Sequence, residues 1–499
     1  MSLSARIIKS SAFLFLTKFI TKGIGLVSTL ILARLLTPED YGIVAIATVI
    51  IYLFDEISNT GTREYIIQKP SLDNEIINTA WTLNLITKTL FWVCFLLLIP
   101  IITNFYDKPE LNKVLFIISL ILPLGALKNV GIVLFEKELN YKPLFYLGLC
   151  QKLIAFVFTI SIAFWLESYW AMIIGTIISF TALVIGSYII HDFRPKLSLT
   201  NFKDQWEFSK WMLPRGFLGF SKAEFDVFLV SKMFDISSLG GFNLMKSLTS
   251  MVGRDVVMPA TEPLLSSFSK VKHDADQLNF QFSICLFLIL VFSLPITSFI
   301  WMFDKEIVLI LLGEKWVDYS SVLGLLSILI VAFSLGAVIQ HLLTSLGKTK
   351  VQFYYELIGL TFTVIILLTL NFDNLAEFSF ARSLAALTLS LLLLFYVKRI
   401  VKISLTNLLT LLLPVFASLS CASFLASNLH FAENLPLLLY VIICGICFSV
   451  SYIILLTSIL FFYRGRKEVS YLQWLVGKAI KATRNKISSR QSNGNPPLN

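Results

Sequence analysis

Charged residues are scarce in this chain of 499 residues. They make up 14% of it, against 56% hydrophobic residues, and the mean hydropathy is +0.79. A water-soluble globular domain carries about a quarter charged residues, so this composition excludes a large soluble protein. The longest polar gaps, 68–78, 191–210 and 264–279, are also short. Chemistry that needs a folded domain outside a membrane has no room here.

Residues typical of active sites are few as well. Six cysteines all fall in hydrophobic stretches, where packing is their expected role. Gly347-Lys-Thr349 resembles the end of a phosphate loop, but Leu342 stands in place of its first glycine. We therefore predict no nucleotide site, no other cofactor and no metal. A membrane acyltransferase is disfavoured because the four histidines are scattered: His191, His273, His341 and His430.

What the chain has instead is a series of long hydrophobic stretches. A helix needs about 20 apolar residues to cross a hydrocarbon core about 30 Å thick. We predict about fourteen such spans, and so an all-α integral membrane protein. Their centres lie near Val27, Ile50, Phe91, Ile121, Phe156, Ile177, Phe225, Ser250, Leu288, Leu329, Thr363, Leu387, Phe416 and Cys447.

Lysine and arginine are concentrated in alternate loops. The loops that carry Arg63, Lys137 and Lys203 are rich in cations, whereas the opposite loops are poor in them. Because cations are retained on the cytoplasmic side during insertion, both termini are predicted to be cytoplasmic. The tail, 464–499, is strongly basic, and we interpret it as an anchor on anionic membrane lipids rather than a nucleic-acid site.

An internal repeat relates the two halves of the chain. Residues 31–42 align with 229–240, with a basic residue, a turn and a glycine in register, and 139–146 align more faintly with 347–354. The similar offsets predict a duplication of six spans, hence parallel repeats with a substrate between them. The predicted domains are an N-lobe with spans one to six, a C-lobe with spans seven to twelve, two further spans and the tail: 1–200, 201–402, 403–463 and 464–499.

Three motifs occur in order along the first 350 residues: Leu32-Ala-Arg-Leu-Leu-Thr-Pro-Glu-Asp-Tyr-Gly42, Leu134-Phe-Glu-Lys-Glu-Leu-Asn-Tyr141 and Leu311-Leu-Gly-Glu-Lys-Trp316. They resemble the polysaccharide transporter family, the Wzx-type flippases of the multidrug/oligosaccharidyl-lipid/polysaccharide exporter superfamily. The resemblance implies two six-helix lobes around a central cavity, with two extra helices, in a bacterial inner membrane. It also implies alternating-access transport of polyprenyl-diphosphate-linked oligosaccharides from the cytoplasmic to the periplasmic leaflet, for surface polysaccharides such as O-antigen or exopolysaccharide. The polysaccharide polymerase and export machinery would be its partners.

The first motif also has a purely structural interpretation. Thr37 is a helix cap, Pro38 suits the first helical position, and Asp40 completes a capping box. We therefore assign these residues to the fold and not to a binding site.

Basic side chains at membrane depth are the best candidates for a substrate site, because burial of a charge in a bilayer is costly unless it faces a cavity or a partner. Such cations suit a diphosphate, which arginine binds with two hydrogen bonds and lysine as a point charge. Snorkelling to headgroups and internal ion pairing are the alternatives. The predicted site residues are Lys18, Lys22, Lys88, Arg215, Lys222 and Arg254.

Coupling to H⁺ or Na⁺ would need a carboxylate in the cavity. Asp226 is the best placed, with Asp255 and Asp55 nearer the cytoplasm, and each is equally suited to be a structural counter-ion. A lipid II flippase or an ion-coupled multidrug antiporter of the same superfamily are the neighbouring alternatives. An antiporter for cationic drugs would favour carboxylates over cations. A glycan polymerase is disfavoured by the short loops.

Overall fold

The computed structural model of the chain describes residues 3–401, 405–429, 435–463 and 465–471. Every regular element in these residues is a helix, which confirms the all-α prediction. Most of the predicted basic tail lies outside the described residues. The helices are α1 (Leu3–Leu35), α2 (Pro38–Ile57), α3 (Thr62–Gln68), α4 (Asn74–Tyr106), α5 (Glu110–Ile118), α6 (Ile121–Leu127), α7 (Ile132–Lys137), α8 (Lys142–Leu166), α9 (Trp170–Ile190), α10 (Phe202–Met233), α11 (Ile236–Ser250), α12 (Met258–Val271), α13 (Ala275–Met302), α14 (Asp304–Leu311), α15 (Ser320–Leu326), α16 (Ile328–Ser345), α17 (Thr349–Thr369), α18 (Leu375–Val401), α19 (Leu405–Ser427) and α20 (Leu437–Phe462).

Twelve helical segments in the described part of the chain are long and apolar enough to cross a membrane. They coincide with twelve of the predicted spans, so the chain is a multi-pass membrane protein. The predicted spans seven and eight correspond to α10 and to α11 with α12. α10 is long but highly charged, and α11 and α12 have only 15 and 14 residues, so none of the three meets the same criterion. The total of fourteen stays a prediction.

The hairpin between α1 and α2 has the predicted cap. The Thr37 hydroxyl accepts a hydrogen bond from the Asp40 backbone N–H, and the Asp40 carboxylate accepts one from the Thr37 N–H at 2.9 Å. Pro38 occupies the first turn, where its missing N–H costs nothing. The structural interpretation of this motif is confirmed.

A π-helical turn, Met251–Val257, joins α11 to α12. Pro259 lies in the first turn of α12.

The chain separates into two compact units. The first unit comprises residues 1–248, 308–326 and 356–382, and the second unit comprises 249–307, 327–355 and 383–499. In the first unit α1 packs on α8, α8 on α9, and α10 along α2 and α4; in the second, α16 packs on α12 and α13, and α19 on α13 and α20. The lobe boundaries inferred from the repeat stay a prediction.

The loops of the first unit gather at two ends. At one end, Arg63 pairs with Glu136 and Lys69 pairs with Asp204, which joins three of the loops predicted to be cytoplasmic. At the other end, the Tyr169 N–H donates to Asp40, which joins two of the opposite loops. The helices therefore run in the alternating directions that the charge pattern predicts. Which end faces the cytoplasm is still an inference from the cations.

Candidate functional site

A buried charge cluster lies where α10, α11 and α18 meet in the first unit. The Asp226 side chain is 2% exposed, and its two oxygens accept from Lys246 Nζ and Arg382 Nε, both at 2.8 Å. Lys246 Nζ also donates to Glu224 at 2.9 Å and to the Ala223 carbonyl at 2.7 Å. Two carboxylates and two cations thus form a hydrogen-bonded cluster without net charge.

The cluster is placed well inside the helices. Asp226 lies seven residues before the end of α10, and Arg382 lies seven residues after the start of α18, in each case about 10 Å along the axis. A buried ion whose partner is removed costs about 3–5 kcal/mol. Removal of any one member would therefore leave a buried charge without its partner at the junction of the three helices.

A second, partly buried ion pair joins α2 to α4. The Lys88 ammonium binds the Asp55 carboxylate, and Lys88 is buried. Lys88, predicted as a substrate ligand, and Asp55, predicted as a coupling site or counter-ion, are therefore each other's partner in this structure.

The cations of α1 are different. Lys18 and Lys22 are exposed although they lie within an apolar span. Lys152 of α8 lies near Lys22: its ammonium is 3.6 Å from the place that a side-chain carbon on Gly25 would occupy, and it is close enough to Lys22 for their charges to repel. No carboxylate of the described residues forms an ion pair with Lys152. The structure thus concentrates positive charge on the α1–α8 surface.

Lys222 of α10 has a weak partner. Its Nζ is 3.7 Å from Glu356 of α17, and both side chains are largely exposed. An exposed ion pair at this distance contributes little, because water or a ligand can replace either partner.

Arg254 belongs to the second unit and lies in the π turn. It is exposed, and its guanidinium carbon is 5.4 Å from the centre of the Phe333 ring on α16. A planar guanidinium held over a ring keeps its edge available for hydrogen bonds.

The side chains of Arg215 and Asp255, both predicted as site residues, lie outside the described residues, although their backbones are helical. Sequence reasoning missed Lys246 and Arg382. Arg382 carried a usable signal, because it is a lone cation near the start of an apolar span. Lys246 lies three residues after Asn243 and four before Ser250, so these three polar residues share one face of α11.

Comparison with known proteins adds the family and the fold. A family model described as "Polysaccharide biosynthesis protein" matches residues 31–321. The lipopolysaccharide biosynthesis protein WzxC of Escherichia coli (strain K12) is 23% identical over 363 residues, covering 71% of this chain and 73% of WzxC. The succinoglycan biosynthesis transport protein ExoT of Rhizobium meliloti (strain 1021) is 21% identical over 345 residues, covering 69% and 70%.

Solved structures share the architecture. The lipid II flippase MurJ in an inward closed conformation superposes with a TM-score of 0.72 at 14% identity, covering 91% of this chain and 100% of MurJ. An inward-facing multidrug resistance MATE family transporter gives a TM-score of 0.60 at 12% identity, covering 77% and 94%. At these identities the likeness concerns the fold alone.

Proposed function

Because the chain belongs to the family of polysaccharide biosynthesis proteins, we propose that it is a flippase for polyprenyl-diphosphate-linked oligosaccharides. It moves them from the cytoplasmic to the periplasmic leaflet by alternating access, for export of a surface polysaccharide. The observation that carries the proposal is the family match over residues 31–321. WzxC is a lipopolysaccharide biosynthesis protein and ExoT a succinoglycan biosynthesis transport protein, which agrees with it. The protein is a transporter and not an enzyme.

The geometry supports an anionic lipid substrate. Exposed cations of α1 and α10 lie at Lys18, Lys22 and Lys222, and Lys152 lies near Lys22. A diphosphate carries negative charges that lysine side chains bind. We assign the substrate headgroup to this set of cations, and Arg254, which belongs to the second unit, stays a predicted substrate-binding residue.

The two carboxylates that pair with cations of the protein have a different role. We assign Asp226 and Asp55 as fixed counter-ions rather than H⁺ or Na⁺ sites, because cations of the protein already occupy Asp226 on both oxygens and Asp55 on one. If Asp226 is a counter-ion, Asp226→Asn should lower stability, and Asp226→Asn with Lys246→Met should recover part of it. Unchanged stability of Asp226→Asn with a lost pH dependence of transport would assign it to ion coupling instead.

We place the protein in the bacterial inner membrane with both termini in the cytoplasm. The cation-rich loops of Arg63, Lys137 and Lys203 support this orientation. The substrate then arrives on the side where nucleotide sugars are made and leaves toward the polysaccharide polymerase and export machinery, which we propose as partners. Reporter fusions at Lys270 should report cytoplasm and fusions at Lys108 should report periplasm.

A complementation assay tests the function. Deletion of the gene should abolish the surface polysaccharide and leave lipid-linked oligosaccharide in the cytoplasmic leaflet. At normal protein level, Lys22→Ala and Lys222→Ala should each reduce export about tenfold, equivalent to about 1.4 kcal/mol of binding. Arg254→Lys should retain more export than Arg254→Ala, because lysine keeps the positive charge and loses only the bidentate hydrogen bonding of the guanidinium.

The matched control is Lys270→Ala, on the exposed last turn of α12, which should export normally. Normal export by Lys22→Ala and Lys222→Ala, together with loss in Lys270→Ala, would overturn the proposed site. Lipid II flipping is the second candidate, since lipid II is also a diphosphate lipid and MurJ shares the fold. Rescue of MurJ-depleted cells, with no effect on surface polysaccharide, would establish it.

A further inference from the structure

Two glycines of the repeated hairpins make the same contact in opposite directions. A side-chain carbon on Gly42 would overlap the backbone carbonyl of Ile236, and one on Gly240 would overlap the backbone carbonyl of Pro38. Real side-chain carbons essentially never come so close to backbone atoms. The start of α2 and the start of α11 therefore touch backbone to backbone, and only glycine fits at both positions.

The reciprocity follows the sequence repeat. Gly42 and Gly240 are 198 residues apart, and so are Pro38 and Ile236. Gly42 of the first repeat contacts Ile236 of the second, and their equivalents, Gly240 and Pro38, contact each other in the same way. Such reciprocity is the property of a contact across a two-fold axis. We name the four residues Pro38, Gly42, Ile236 and Gly240 the glycine latch.

A third segment of the first unit, 314–319, packs against both hairpins. A side-chain carbon on Gly241 would overlap the ring of Tyr319. Trp316 is fully buried, donates its indole N–H to the Ala33 carbonyl at 2.7 Å and packs edge-on against Tyr41 at 5.1 Å. The latch therefore lies in a tightly packed, largely apolar layer at the end opposite to the ion-paired loops.

We propose that the glycine latch is the gate that closes the transport path at this end, and that it must part for the substrate to leave. The inference rests on the proposed function. The physical basis is that the two helix starts touch through backbone atoms, with no side chains between them that could adjust. The hairpins are therefore either in contact or fully separated. Because the contact is symmetric, blocking either glycine should have the same effect.

Hydrogen exchange in the full-length protein tests the gate without any transport assay. Gly42→Ala should speed exchange in residues 235–241, and Gly240→Ala should speed it in residues 35–42. Each substitution should shift the equilibrium between hairpins in contact and separated hairpins toward separation by about tenfold or more, because the added carbon overpacks the contact. Gly219→Ala is the matched control, since an added carbon there meets nothing within 4 Å.

A second pair of substitutions, at Gly241 and Tyr319, tests the gate even if the backbone clash at Gly42 or Gly240 unfolds the protein. Gly241→Ala meets only the side chain of Tyr319, so Gly241→Ala should open the latch, and adding Tyr319→Ala should restore slow exchange. Unchanged exchange in Gly42→Ala and Gly240→Ala, or no recovery in the double variant, would overturn the gate. The two proposals can fail separately. If the substitutions open the latch but deletion of the gene leaves the surface polysaccharide intact, the gate is supported and the flippase is refuted.

Discussion

The two ends of the first unit are held by different chemistry. At the end predicted to be cytoplasmic, the loops are joined by ion pairs, among them Lys69 with Asp204 and Arg63 with Glu136. At the opposite end the hairpins are joined by the glycine latch and by the buried ring of Trp316. Exposed ion pairs exchange readily with water and salt, whereas a close-packed apolar contact does not.

This difference suits a transporter that loads a charged headgroup at one end and seals the other. Ion pairs at the loading end can be exchanged for contacts to a diphosphate at little net cost. The glycine latch is a steric contact between backbones, while Arg34 and Lys315 at the same end donate hydrogen bonds to backbone carbonyls. The following predictions test whether the two ends differ as described, from the largest expected effect to the smallest.

Trp316→Ala at the sealed end should have the largest effect. Removal of a fully buried indole should lower the free energy of unfolding by about 3–5 kcal/mol, with little dependence on salt. Denaturant titration of the purified protein in detergent measures it. Trp165→Ala is the control, because Trp165 is 82% exposed. Equal effects of the two substitutions would contradict the packed seal.

Lys88→Met, near the ion-paired end, should come second. It leaves Asp55 without its partner, and we expect a loss of up to about 3 kcal/mol. Adding Asp55→Leu should recover most of the stability, since a buried pair can be replaced by apolar groups. A double variant no more stable than Lys88→Met alone would refute the pairing.

Asp204→Asn should have a smaller and pH-dependent effect. Hydrogen bonds from Lys69 and from Tyr65 hold the pKa of Asp204, which precedes the predicted span, below its usual 3.8. Its contribution to stability is therefore complete above pH 3.8 and is lost as the pH falls through the lower folded value. The melting temperatures of wild type and variant should differ at pH 6 and should approach each other as the pH falls below 3.8. A constant difference would contradict the assignment.

Arg63→Ala should have the smallest effect, a few tenths of a kcal/mol to about 1 kcal/mol, because Arg63 is exposed. The difference from wild type should shrink between about 0.05 and 0.5 M NaCl as screening increases. The same salt series should leave the Trp316→Ala difference unchanged. If salt changes the stability differences of Arg63→Ala and Trp316→Ala equally, the two ends are not held by different chemistry.

Much of the fold follows from patterns that are local in sequence. The apolar spans, the Thr37 cap and the repeat at an offset of 198 residues can all be read along the chain. Within the described residues the structure has twelve apolar helices and the cap where expected. The partners of Asp226 could not be predicted in this way. Lys246 and Arg382 are 20 and 156 residues from it, and only packing of three helices brings them together.

The glycine latch is a second contact that could not be predicted from the sequence. The repeat identified Gly42 and Gly240 as equivalent, yet nothing in the sequence says that equivalent residues should touch. That requires the helix starts to meet across the repeat axis, which is a property of tertiary packing. Lys22 with Lys152 is a similar case, since α8 places a second ammonium beside α1.

Transport in reconstituted vesicles tests the central claim most directly. Polyprenyl-diphosphate-linked oligosaccharide is placed in one leaflet, and an impermeant glycan-modifying reagent reports its arrival in the other. Wild type and Gly219→Ala should move it at equal rates, and Gly240→Ala should be at least about tenfold slower at equal reconstitution. A wild-type rate no faster than that of protein-free vesicles would contradict the flippase, and a normal rate in Gly240→Ala would contradict the latch.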